Sequence, residues 1–245
     1  ARPTSFLDFA QIAGRGLFTP ARHIVLLSEY LEALRRREIR KLMVFLPPRH
    51  AKSTTVDELF APWWLLNHPD DRVALASYEA TFAATWGRKA REVVIDVGPS
   101  HYGYGVQQDS EAKNDWGIGG HRGGMFTTGI GGPITGRGFN LGIIDDPVKN
   151  EQEAQSETIQ QRNYDWYRST FSTRREPDAV EILIETRWNE ADLAGLLLDE
   201  EPHEWTVLNL PALAEEGDPL GRELGEALWP ERYDKDALLD IRYGK

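Results

Sequence analysis

Leu46-Pro47-Pro48-Arg49-His50-Ala51-Lys52-Ser53-Thr54 follows a mostly apolar run, Lys41-Leu42-Met43-Val44-Phe45-Leu46, and precedes a helix-compatible segment from Thr54 to about Leu66. A buried strand, a tight turn and a Lys-Ser pair at a helix start form the layout of a phosphate-binding loop. Backbone N–H groups and the helix N-terminus surround the phosphates, the lysine reaches the outer ones and the hydroxyl binds Mg²⁺. The two glycines that usually frame such a loop are absent: Leu46 and Ala51 stand in their places. If the second position requires a positive φ, alanine strains the loop or reshapes it. Taken alone, Lys52-Ser53 also reads as an ordinary turn, so the rest of the chain has to decide.

At 245 residues, with 40% hydrophobic and 27% charged residues, the chain has the length and composition of one large globular domain or two small ones. No apolar run approaches the roughly 18 residues of a transmembrane helix, and the first residues lack the basic-then-apolar layout of a secretory signal. With no cysteine, disulfides, thiol chemistry and Cys-ligated metal are excluded, which suits a cytoplasmic setting. A net charge of −11 argues against a surface that coats nucleic acid over its whole area. Basic clusters at Arg35 to Lys41, at Arg88, Lys89 and Arg91, and at Arg174-Arg175 are either solvated helix faces or local contacts for a transiently held nucleic acid.

Outward from the loop, strand and helix patterns alternate. Residues 1–20, with Pro3, Gly14, Gly16 and Pro20, are expected to be loosely structured. Ile24, Leu27, Leu31 and Leu34 mark an amphipathic helix over about 21–37. Arg72 to Ser77 predicts a second strand and Ala80 to about Val97 a helix. Ten of the 22 glycines fall within residues 117–138; the interspersed Met125, Phe126, Ile130 and Ile134 suit hairpin turns near a site better than a flexible linker. Phe139 to Asp146 predicts a strand ending in two acids, Glu151 to Phe171 a polar helix, Ala179 to Thr186 a strand, Ala191 to Asp199 a helix, Trp205 to Leu210 a last strand, and Lys235 to Ile241 a short helix. Connections this long between strands imply a mainly parallel sheet with helices on both faces.

Parallel sheets place ligands at the carboxyl ends of their strands. Three such ends carry groups suited to nucleotide hydrolysis: Lys52-Ser53; Asp145-Asp146, where one acid can hold Mg²⁺ and its neighbour can orient an attacking water; and Thr186. Arg137, among glycines just before the acidic strand, is a candidate for stabilising transition-state charge, in cis or from a neighbouring subunit, and Arg49 for contacting phosphate or bracing the loop. Each piece also has an ordinary reading. Asp145-Asp146-Pro147 can be a helix start or turn, Thr186 a simple strand end, and Arg137 a surface ion pair. The three strand ends in this order are much less readily coincidental.

With these motifs the chain resembles the ATPase domain of tailed-phage large terminases. The resemblance rests on Pro47-Pro48-Arg49-His50-Ala51-Lys52-Ser53, on Thr135-Gly136-Arg137 before Ile143-Ile144-Asp145-Asp146-Pro147, on Thr186-Arg187-Trp188-Asn189-Glu190-Ala191-Asp192-Leu193 and on Leu228-Trp229-Pro230-Glu231-Arg232. It implies an α/β fold of the additional-strand, RecA-like P-loop type, with residues 1–210 as the core, including an N-terminal helix, and 211–245 as a lid or linker toward a nuclease domain that the chain lacks. It implies ATP hydrolysis with Mg²⁺, driving double-stranded DNA into a procapsid in the host cytoplasm. The implied partners are a portal protein, a small terminase subunit and further copies in a ring, usually a pentamer. The implied nucleotide-binding residues are Arg49, His50, Ala51, Lys52, Ser53 and Thr54, with His23 from the Phe18 to His23 stretch near adenine. Ser53 and Asp145 would hold the metal, Asp146 would orient the water, Thr186 would couple hydrolysis to movement and Arg137 would complete a neighbour's site. No nuclease activity is expected of this chain. The other readings are a helicase-like translocase, for which 245 residues leave no second motor domain, and a weakly catalytic module that binds DNA or portal through a degraded loop.

Overall fold

A computed structural model describes residues 1–15, 18, 20–108, 114–134 and 136–243. Seven strands form one sheet: β1 (Lys41–Phe45), β2 (Arg72–Ser77), β3 (Asp115–Gly117), β4 (Gly124–Gly129), β5 (Phe139–Asp145), β6 (Arg175–Glu185) and β7 (Thr206–Asn209). Their order is β3-β4-β2-β5-β6-β1-β7, parallel throughout except for the edge strand β3, which runs antiparallel to β4. β1 is buried along its whole length, as a strand covered on both faces must be.

Alternation along the strands divides the core into two layers. Leu42, Val44, Val73, Leu75, Leu141 and Ile143 face one side, packed with α1 (Phe6–Ala13), α2 (Arg22–Arg35), α3 (Ala61–Asn67) and α4 (Ala80–His101). Met43, Phe45, Ala74, Ala76 and Ile144 face the other, with Trp166, Phe171 and Leu197. That second layer is built from α5 (Glu151–Ala154), α6 (Glu157–Trp166), a π-type continuation over Tyr167–Phe171 and α7 (Leu193–Glu200). The final helix is α8 (Lys235–Tyr243). Among the described residues no helix is long and apolar enough to cross a membrane.

β1, β2, β5, β6 and β7 lie where the patterns predict strands, the glycine-rich stretch supplies the expected hairpin as β3–β4, and two local expectations are corrected. Residues 6–13 are helical, because the Ser5 hydroxyl accepts from the Asp8 N–H and the Asp8 carboxylate accepts from the Ser5 N–H, closing both ends of a capping box. Phe6 then packs on Phe60 and Trp63. The polar helix over 151–171 is interrupted at Gln155-Ser156, where Ser156 is extended. The glycine-rich stretch is a tight edge structure: a Cβ on Gly124 would lie 2.2 Å from the Trp116 carbonyl oxygen across the β3–β4 pair. Thr135 lies outside the described residues.

Candidate nucleotide site

The loop after β1 starts with Leu46, whose N–H reaches the Glu185 carbonyl of β6 (3.4 Å), and continues through two prolines with no N–H to offer. Arg49 (φ 61°) and Ala51 (φ 64°) are both left-handed. The position that the usual loop pattern assigns to glycine is thus occupied by an alanine whose Cβ opposes its own backbone, at about 1–2 kcal/mol. The conformation is held from both sides. The Thr55 N–H and hydroxyl both donate to the Ala51 carbonyl (2.9 and 2.8 Å), and the His23 ring Nε2 contacts the His50 carbonyl (3.1 Å). His50 Nδ1 contacts the Pro48 carbonyl (2.8 Å). Helix begins at Lys52 and runs through wide π-type turns over Thr54–Phe60 into α3.

β5 delivers the acids. Asp145 ends the strand with no exposure, and Asp146 turns left-handed (φ 44°), its N–H donating to the Ile184 carbonyl of β6 (2.9 Å). The buried Lys52 ammonium pairs with Asp146 Oδ2 and stands 4.0 Å from Asp145 Oδ1. Thr186, the residue after β6, closes the triangle: its N–H donates to Asp146 Oδ1 (3.1 Å) and its hydroxyl to the Leu46 carbonyl (3.2 Å). Adjacent strand ends therefore bring Lys52, Asp145, Asp146 and Thr186 together as the sequence predicts.

Burial opposes the Lys52 charge, yet Asp145 and Asp146 outweigh it and hold the ammonium above its ordinary pKa. Burial and the Asp146 charge lift Asp145 to about 6, against the pull of Lys52. The donors present fit Mg²⁺. Among the described residues no donor meets either Asp145 oxygen in full bonding geometry, and the Ser53 side chain lies close enough to favour the ionised carboxylate. Among the described residues no three His, Cys, Asp or Glu side chains converge as metal ligands.

Other expected residues sit farther out. His23 is fully buried behind the loop, its ring 5.1 Å from that of Trp229, so it braces the loop and offers no open face to a base. Thr19, in the same expected stretch, lies outside the described residues. Arg49 and Thr54 remain at the loop surface. Arg137 is exposed and pairs with Asp115 Oδ2 (2.6 Å) over the Phe126 ring, on the β3–β4 side of the sheet. The segment after Leu210 folds back over the loop, with Tyr233 5.4 Å from the His50 ring. Pro48, His50, Pro211, Leu213, Tyr233 and Leu238 line a mainly apolar cleft of about 630 Å³ beside it.

Two buried acids escaped the sequence reading. Asp57, one helical turn past Ser53, has no exposure and lies against Asp145; burial and the Asp145 charge push its carboxyl well above the usual range. Glu185, just before Thr186, is raised chiefly by burial and by Asp192. Arg187 bridges that pair, 2.5 Å from Asp192 and 3.7 Å from Glu185, while Asp192 caps α7. The only available signal was an acid inside an otherwise apolar run.

The fold compares with solved terminases. The ATPase domain of Thermus phage P74-26 large terminase, in a mutant form, matches with a TM-score of 0.57 at 13% identity, over 92% of this chain and 94% of that one. Bacteriophage HK97 large terminase matches at 0.51 and 15%, over 77% and 38%. The ADP complex of a large terminase from a thermophilic bacteriophage matches at 0.52 and 13%, over 75% and 44%. The chain thus spans less than half the length of each of these last two proteins. A search of curated proteins returned no match. The sequence model for terminase large subunit, T4likevirus-type, N-terminal, matches residues 43–238, from β1 into α8. The chain belongs to the family of terminase large subunits of this type.

Proposed function

We propose that this chain is the ATP-hydrolysing motor domain of a DNA-packaging terminase, acting on double-stranded DNA with a portal protein, a small terminase subunit and further copies of itself in a ring at the procapsid. The observation that carries the reading is the Lys52–Asp146–Thr186 triangle at three neighbouring strand ends, in a chain of the terminase family. The triphosphate lies along the loop from Arg49 to Thr54, with the base toward the apolar cleft by His50 and Tyr233. Ser53 and Asp145 would hold Mg²⁺, which supplies charge neutralisation at the phosphates when bound.

The chain's own residues do the rest. Phosphate oxygens compete with Asp146 for the Lys52 ammonium, because one cation cannot satisfy both at full strength. The displaced Asp146 carboxylate is then free to accept a hydrogen bond from water and orient it toward the γ-phosphorus. Its second oxygen stays fixed by the Thr186 N–H, and the Thr186 hydroxyl is tied to the loop through Leu46. A change at the phosphates is thereby passed to β6 and, through Arg187 and Asp192, to the start of α7. Arg137, held at the surface by Asp115, serves a neighbouring subunit.

The test is phosphate release by purified protein. Asp146→Asn should retain nucleotide binding and lose hydrolysis by at least about 100-fold; turnover equal to wild type removes Asp146 from the mechanism. For Arg137, mixing Arg137→Ala with Asp146→Asn subunits should restore turnover at mixed interfaces, and absence of rescue returns Arg137 to a structural role.

A further inference from the structure

Asp57 is the least explained charged group in the molecule. It lies on the π-type segment Thr54–Phe60, four residues after Ser53, with no exposure. Among the described residues no other group donates to its oxygens, and its carboxyl lies against that of Asp145. Nothing in packing calls for an acid here, since Val56, Leu59 and Phe60 around it are core residues. An unpaired buried carboxylate is among the costliest groups a core can hold. Two carboxyls in contact cannot both hold a charge cheaply, and Lys52, the cation that acts on Asp57, is already engaged by Asp146. The wide π-type turns belong to the same piece of chain, a departure from α geometry that recurs at functional sites and redirects side chains.

We propose that Asp57 is a positioning acid of the divalent-cation site, standing behind Asp145 and fixing its carboxylate toward the cation. The inference rests on Ser53 and Asp145 being the cation's ligands. Asp57 need not touch the ion: a carboxylate behind a metal ligand orients that ligand and raises its donor strength, and losing such a partner typically costs about 10–100-fold in metal affinity.

Mn²⁺ binding to the full chain, followed by electron paramagnetic resonance without nucleotide, tests this. Wild type should bind Mn²⁺, Asp57→Asn should bind it at least about 10-fold more weakly, and Asp145→Asn should abolish binding. Thermal melting provides a readout that a purely structural role would move the other way. Asp57→Asn, which keeps the shape of a side chain that no other group holds, should melt no lower than wild type without metal and should lose most of the Mn²⁺-induced rise. If Asp145→Asn loses Mn²⁺ while Asp57→Asn binds it like wild type, the cation site stands and the role of Asp57 falls. If Asp145→Asn also binds normally, the metal-site reading itself fails. A lower melting temperature for metal-free Asp57→Asn, or no Mn²⁺ binding by wild type, likewise overturns the proposal.

Discussion

The two ends of the sheet both bury charge but treat it in opposite ways. At the amino end, Lys41 on β1 lies in register with Glu181 on β6, and each has a close partner: Lys41 Nζ is 2.5 Å from Glu201, and the Tyr167 hydroxyl donates to Glu181 Oε2 at 2.7 Å. At the carboxyl end, Asp57 and Asp145 are at least as deeply buried, and among the described residues they meet only each other and, at 4.0 Å from Asp145, a Lys52 already held by Asp146. A charge satisfied within the chain holds the fold together, whereas a charge left without a partner costs stability unless something outside the chain supplies it.

That contrast can be broken from the loop's own brace. Burial drives the His23 imidazole down to about 4, so the folded chain holds it neutral. A base depressed in the folded state contributes stability that is complete above its unfolded pKa near 6.5 and is lost as pH falls from there toward 4. The loss amounts to at most roughly 3 kcal/mol. Unfolding by urea at pH 7.5 and pH 5 should show a loss in wild type, and His23→Gln should reduce it, the remainder coming from His50 and His68, which burial also lowers. An unchanged pH profile in the variant would place the acid sensitivity elsewhere.

At the amino end, Tyr167→Phe removes the donor from buried Glu181 and should cost about 1–3 kcal/mol in urea unfolding. Phosphate release per folded molecule should stay the same. A fall in turnover at full folding would join the two ends functionally and undo the comparison. The smallest effect is expected at Ala51. Glycine there relieves a left-handed alanine but loosens the unfolded chain, leaving a net gain of up to about 1 kcal/mol with hydrolysis retained. A destabilised Ala51→Gly would mean that the Cβ packs usefully.

Much of this was legible in the sequence because strand ends in a parallel sheet are legible. Apolar runs located β1, β5 and β6, and the residues just past them, Lys52, Asp146 and Thr186, had to meet if those strands were neighbours. The φ at Ala51 stayed an open question in the sequence, and the structure answers it as positive. What escaped depends on three-dimensional neighbours. α1 formed through a two-residue capping exchange hidden among breakers. His23 contacts the loop from behind because α2 packs beneath it. Asp57 looks like any helical acid until the π-type turns and β5 enclose it. The Arg137 ion pair is set by β3, whose position at the sheet edge no local pattern specifies.

The central claim is that the loop binds a triphosphate through Lys52 and that the acids of β5 complete its hydrolysis. Single-turnover phosphate release from ATP, with protein in excess and Mg²⁺ present, tests it directly on wild type and Lys52→Ala. The account predicts release by wild type and a loss of at least about 100-fold in the variant. Equal release by the two proteins would contradict it.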